Sequence, residues 1–256
     1  MVTVGDIYDA IDKLAPFSNQ CEWDNSGLII GDRKSAVTKV MTVLDITANT
    51  AKEAVENNVD LIVSHHPIIF KGLKRIDTDT PLGALLVAGV SVISAHTSFD
   101  VAGNGLNKLL CGKLGLSIIP NTPLAYDGNS PIGNVCKLER EMTATELAKN
   151  VKDKLGCVSV RYTDNGEIIS LVGVCCGSGG EYFSVAKSLG CQALITGDVK
   201  HHDFIDAFNA GMTVIDAGHF YTERLFSEYM AKMLSEAYER VEVFSSKTEA
   251  DTVSYL

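Results

Sequence analysis

Basic residues are scarce in this chain: 22 Lys and Arg stand against 32 Asp and Glu in 256 residues, a formal net charge of −10. Nucleic-acid affinity rests largely on neutralising phosphates, and no cluster of Lys or Arg offers a basic face, so direct DNA binding is not expected. Long apolar runs are missing as well. The longest nearly uncharged stretch, Pro81 to Ala95, breaks at Gly89 and is too short for a membrane span. The opening MVTVGDIYDAIDKL mixes acids with its apolar residues and has no basic start, so a signal peptide is not expected. The seven cysteines form no CxxC pair and are odd in number. Most sit inside apolar runs, where a thiol is a small hydrophobe, and a redox role for the adjacent Cys175 and Cys176 is the less favoured reading. Reduced thiols fit a cytoplasmic location.

What is present is ordinary for a globular chain, with 46% hydrophobic and 21% charged residues and enough length for one large or two smaller domains. Val4, Ile7, Tyr8, Ile11 and Leu14 line one face of a first helix, with Thr3 and Asp6 spaced as a capping box. Short strands are expected at GLIIG, KVMTVLDI, LIVS and SVISA, with helices over 50–57, 82–87 and 106–114. The second half repeats this order. A helix over 144–155 precedes VSVRY and ISLVGVCC, then come a helix near 182–188, ALIT, a helix over 204–208, TVIDA and a long helix over 225–238. VEVFS adds a last strand. Leu61–Ser64 overlays Ala193–Thr196, and Val92–Ala95 overlays Val214–Ala217. The expected fold is therefore α/β, with two repeats of α-β-(βα)3 type and mostly parallel sheets covered by helices. The Pro- and Gly-rich stretch 118–133 reads as the linker, dividing residues 1–125 from 126–256.

All six histidines (65, 66, 96, 201, 202 and 219) fall at or just beyond the C-terminal ends of predicted strands, where open α/β sheets bind ligands. His96 and Asp100 are four apart in HTSFD, as are His219 and Glu223 in HFYTE. That spacing sets an imidazole and a carboxylate on one side of a helical turn. Glu223 is expected in the first turn of the final helix, where the dipole favours its anion. Adjacent histidines in extended chain point apart, so His65 and His66 suit two ions, or an ion and a substrate, better than one chelate. Singly, each feature is a common loop residue or chance spacing; together, His65, His66, Asp100, His219 and Glu223 predict a metal site. The donors are N and O without thiolate, which fits Zn, Fe or Mn and argues against a structural zinc knot.

EWDNSGLIIG, SHHPIIF, ITGDVKHHD and DAGHFYTE, in that order, resemble the signature segments of the Nif-three-like family, also called the GTP cyclohydrolase 1 type 2 homologue family. The resemblance runs from the first helix to the last. It implies two intertwined repeats, a dinuclear metal centre between them and a homohexameric ring. It implies His65, His66, Asp100, His219 and Glu223 as ligands of two divalent ions, with Glu223 bridging, and His96 beside the metals. The short linker leaves no room for the middle domain inserted in longer relatives. Asp198 stands where relatives often carry Glu, which leaves its role open.

Two supporting features are less specific. The run Gly177-Ser178-Gly179-Gly180 follows a strand, and Gly177 and Gly179 fit a phosphate-cradling loop or a plain turn. His201 and His202 at a helix start, like Asp198, suit support of the metal ligands or substrate contact, with helix capping as the simpler reading. Trp23-Asp24-Asn25 reads as a turn into the first strand.

The leading functional expectation is a metal-dependent hydrolase of a nucleotide-like or otherwise phosphorylated small molecule, with His96 as general acid or base. GTP cyclohydrolase chemistry is what the family label implies. The alternative is a non-enzymatic, metal-binding or regulatory ring protein that acts through protein partners.

Overall fold

The computed structural model describes residues 1–256. In chain order the elements are α1 (Val4–Leu14), β1 (Gly27–Ile30), β2 (Lys39–Val43), α2 (Ala48–Glu56), β3 (Leu61–Ser64), α3 (Pro81–Ala88), β4 (Ser91–Ser94) and α4 (Thr97–Asp100). Then follow α5 (Leu106–Leu114), β5 (Ser117–Ile118), β6 (Ala125–Asp127), β7 (Ser130–Ile132), β8 (Asn134–Met142), α6 (Ala144–Leu155), β9 (Arg161–Tyr162) and β10 (Ile169–Ser178). The chain ends with α7 (Phe183–Ser188), β11 (Ala193–Gly197), α8 (His201–Asn209), β12 (Thr213–Asp216), α9 (His219–Glu223), α10 (Leu225–Ala237) and β13 (Glu242–Ser245). None of the helices is long and apolar enough to cross a membrane.

These elements form two compact units, Met1–Ala102 with Phe226–Ala250, and Gly103–Leu225 with Asp251–Leu256. In the first, a five-stranded sheet has the order β1-β4-β3-β2-β13. The chain's last strand thus joins the N-terminal sheet, pairing in parallel with β2. β2, β3 and β4 are parallel, and β1 closes the edge antiparallel to β4. Strands buried on every residue, such as LIVS and SVIS, are what a sheet covered on both faces requires. Met41, Ile62 and Val92 pack with Ala51, Ala54 and Leu85 from α2 and α3. Thr3 caps α1 with Asp6 as the capping box predicts. Thr42 on β2 donates its hydroxyl to the Ser227 carbonyl of α10 at 2.7 Å.

In the second unit a six-stranded sheet has the order β5-β8-β10-β11-β12-β9. β10, β11 and β12 are parallel, while β8, β5 and β9 flank them antiparallel. The sheet is therefore parallel only at its centre. The long strand β8 was invisible to hydropathy patterning because NVCKLEREM carries four charged residues. Within the stretch read as linker, β6 and β7 form a small hairpin. All seven cysteines are buried, and none is in a disulfide.

The overlaid strands share a register. Leu61 faces Ser91 across β3 and β4, as Ala193 faces Thr213 across β11 and β12. The ladder then continues one step past each pair, Ala95 N–H donating to Ser64 O and Ala217 N–H to Thr196 O. Beyond that point the two differ. His96 follows Ala95 directly and precedes α4, whereas Gly218, at φ +84°, intervenes before His219 opens α9.

Candidate metal-binding clusters

In the first unit, strand ends converge three histidines. His65 and His66 continue β3 with their amides bonded to Val43 O and Leu44 O, each at 3.0 Å. His96 stands two residues past the equivalent end of β4. The three imidazoles lie with centroids 4.9–5.2 Å apart. One ring nitrogen of each falls within 4.8 Å of the others. Asp100, at the end of α4, brings Oδ1 to 3.5 Å from His65 Nε2. His65 is fully buried and rests against the Phe226 ring at 5.0 Å.

The decisive feature is what each ring does with its other nitrogen. His65 Nδ1 lies 2.8 Å from the Ala95 carbonyl. That oxygen can only accept, so Nδ1 carries a proton, and in the neutral ring Nε2 is the nitrogen with the lone pair. His66 Nδ1 lies 2.7 Å from Asp45 Oδ1, and His96 Nδ1 lies 2.7 Å from Asp24 Oδ1. An imidazole that donates Nδ1–H to a carbonyl or carboxylate is oriented and made a better Nε2 donor, the arrangement seen around metal-bound histidines.

Asp24 is locked in turn. Thr97 donates its amide (3.0 Å) and hydroxyl (2.5 Å) to Oδ2, and Ser26 donates its hydroxyl at 2.8 Å. Burial pushes this carboxyl up, but the His96 bond and charge with the Thr97 and Ser26 bonds outweigh it, holding the group well below the usual carboxylate range. It therefore stays an anion against His96. Trp23-Asp24-Asn25 has the pattern of a turn, and Asp45 lies inside the apolar run KVMTVLDI, so neither carboxylate stands out in the sequence. The available signal was their place just before and after the first two strands, on the ligand side of the sheet.

In the second unit the pair is His219 and Glu223 on α9, with His219 Nε2 2.9 Å from Glu223 Oε2. Glu223 is buried at the C-terminal end of this five-residue helix, not in the first turn of the final one, so helix-dipole support does not apply. Asp198 takes the same anchoring part as Asp24 and Asp45, with Oδ2 2.9 Å from His219 Nδ1. It adopts a left-handed backbone, φ +49°, which Asp tolerates better than most residues. Asp216, also missed in the sequence, ties the two loops together. It accepts from Val199 N–H (3.1 Å) through Oδ2 and from Gly218 N–H (2.9 Å) through Oδ1, with Arg161 on Oδ2 as well.

Gly177 has a specific task here. Its φ is +62°, and a Cβ on it would lie 2.3 Å from Glu223 Oε1. Its amide donates to Thr222 Oγ1 at 3.0 Å, so that N–H is already used within the protein. A Cβ on Gly179 would meet Thr196 Oγ1 at 2.7 Å and Cys175 at 2.8 Å. Both glycines are accounted for by close packing. His201 and His202 are exposed in the first turn of α8, His202 Nε2 lying 3.5 Å from its neighbour Asp203.

Comparison with known proteins gives the family. The profile of the Duf34/NIF3 (NGG1p interacting factor 3) family matches residues 2–252. A Clostridium acetobutylicum protein named GTP cyclohydrolase 1 type 2 homolog is 37% identical over 246 residues, covering 93% of this chain and 91% of its own. A Helicobacter pylori protein named GTP cyclohydrolase 1 type 2 is 36% identical over 239 residues, covering 91% and 92%. The crystal structure of a hypothetical protein from Staphylococcus aureus superposes with a TM-score of 0.90 at 28% identity, covering 100% of this chain and 99% of that one.

Proposed function

The chain belongs to the Duf34/NIF3 family, and from that premise we propose that it is a two-metal hydrolase of a nucleotide-like or phosphorylated small molecule. The observation that carries the reading is the anchoring of Nδ1 on His65, His66, His96 and His219 by Ala95, Asp45, Asp24 and Asp198. Core histidines need no such common arrangement; metal donors do. His65, His66, Asp100, His219 and Glu223 would hold two divalent ions, Zn, Fe or Mn, with Glu223 bridging. Bound ions would supply Lewis acidity and make water acidic enough to deprotonate near neutral pH.

The protein's own part is orientation and proton transfer. Asp24, held as an anion, fixes the Nδ1–H tautomer of His96 and stabilises its imidazolium. Nε2 is then the proton acceptor, the division of labour expected of a carboxylate–imidazole pair. Ring opening of a purine-like base is hydrolysis at an amidine-like carbon, which such a site suits, and the relatives' names are consistent with it. The proposal includes a cytoplasmic, homohexameric ring.

Metal analysis of natively purified protein, joined to an activity screen over nucleotides and phosphoesters, tests the reading. About two ions per chain and metal-dependent turnover are expected. Less than about half an ion per chain after reconstitution would remove it. Light scattering near six times the 27.5 kDa chain mass is expected, and a stable monomer at micromolar concentration would remove the ring.

A further inference from the structure

Two exposed aromatic rings flank His96, and neither is used by the metal reading. Trp23, the only tryptophan of the chain, is 62% exposed, and Phe70 is 47% exposed. Both meet the His96 imidazole edge-on, with centroids 5.6 Å and 5.5 Å away and interplanar angles of 73° and 88°. Scattered exposed apolar residues are common, but two large rings beside a buried polar cluster are not simple surface filling.

Both rings sit on anchored segments. Trp23 precedes Asp24, whose carboxylate is bonded to His96, Thr97 and Ser26. Phe70 follows Ile69, whose carbonyl accepts from Asn25 Nδ2 at 2.6 Å. That bond stitches the segment carrying Phe70 to the segment carrying Trp23. The backbone segments that carry the two rings are thus tied to each other and to the turn that orients His96. Pre-organised rings lose little conformational freedom on binding, which raises affinity for a flat partner.

We infer that Trp23 and Phe70 form a subsite for a planar nitrogen heterocycle, such as a nucleobase, and present it beside His96. Faces of aromatic side chains stack on any base with little preference for its identity. Both rings stand steeply to the His96 plane and stay 62% and 47% exposed, and the polar cluster next to them would take the reacting part of the molecule. This deepens the hydrolase reading and rests on it for the chemistry, though the binding step stands alone.

The single tryptophan makes the test direct, because its fluorescence reports this subsite only. Wild-type protein is titrated with adenosine and guanosine monophosphate, with ribose 5-phosphate as the ring-free control. Saturable quenching by both nucleotides and none by the control is expected. Phe70→Ala should weaken nucleotide binding about tenfold, and Phe70→Tyr should restore it. Trp23→Ala, followed by calorimetry, should show a similar loss, and both alanine variants should keep the wild-type metal content and thermal midpoint. Equal binding of the ring-free control, or unchanged affinity in Phe70→Ala, would overturn the subsite. So would fluorescence that follows protein concentration and ignores ligand, since a second copy of the chain would then cover the rings. Nucleotide binding without metal-dependent turnover would remove the hydrolase and leave the subsite. Turnover of a ring-free phosphoester, unaffected by Phe70→Ala and without quenching by nucleotides, would do the reverse.

Discussion

Asp24 and His96 are 72 residues apart in the chain and joined by a 2.7 Å hydrogen bond, Oδ1 to Nδ1. The two residues come from the turn before β1 and the end of β4, neighbours through the antiparallel pairing of those strands. Asp24→Asn keeps the shape but removes the charge and can present an amide N–H to Nδ1. The imidazole would then favour the other tautomer. Metal-dependent turnover is expected to fall by about 10–100-fold, with the circular-dichroism spectrum unchanged. Unaltered turnover would show that His96 needs no fixed tautomer.

Glu223 and His201 separate the metal donors from their surroundings. Glu223 is buried with an oxygen 2.9 Å from His219 Nε2, whereas His201 is exposed at the start of α8. If Glu223 serves both ions as proposed, Glu223→Ala should lose both, and His201→Ala should keep them. Equal metal content in the two variants, measured by elemental analysis, would refute the role given to Glu223.

Gly177→Ala probes the same carboxylate from its other side. The new Cβ would sit 2.3 Å from Glu223 Oε1 at a φ of +62°. The backbone conformation alone costs a non-glycine residue about 1 kcal/mol or more, so a lowered thermal midpoint is expected. Glu223 must also move, so metal affinity should drop. Gly112, at which a Cβ meets nothing within 4 Å, is the control position, and Gly112→Ala should bind metal normally.

The address of the donors was legible in the chain, because parallel strands deliver whatever follows them to one sheet end. LIVS and SVIS need only apolar continuity to be recognised; His65 and His66 follow the first directly, and His96 follows the second after Ala95. The anchors were not legible. Asp24 lies beyond a one-residue tryptophan and Asp45 inside a loop, and their bonds to His96 and His66 depend on which strands become neighbours. Strand order also hid the destination of β13, whose VEVFS pattern says nothing of pairing with β2 at the far end of the sequence. Glu223 is expected in the first turn of the final helix but ends α9 instead, because the break between α9 and α10 at Arg224 has no glycine or proline to announce it.

Return of the C-terminal segment to the first unit has a pH signature. Glu53 on α2 accepts from the Ser246 hydroxyl (2.5 Å), the Lys247 amide (2.9 Å) and both the amide (3.1 Å) and hydroxyl (2.7 Å) of Thr248. Burial raises this carboxyl, but the Ser246, Lys247 and Thr248 bonds together hold it below its ordinary value. A group depressed in the folded state stabilises the fold fully above its unfolded pKa, about 4.3 for Glu. That stability is lost as pH falls through the lower folded value. Glu53→Gln keeps one acceptor oxygen and loses the charge, so it should cost about 1–3 kcal/mol at neutral pH. Between about pH 4.3 and lower values the difference from wild type should shrink, because protonation then makes the two side chains alike. Denaturant midpoints measured across that range check the sign. A variant penalty that grows on acidification, or is absent at neutral pH, would mean that Glu53 does not clamp the segment following β13.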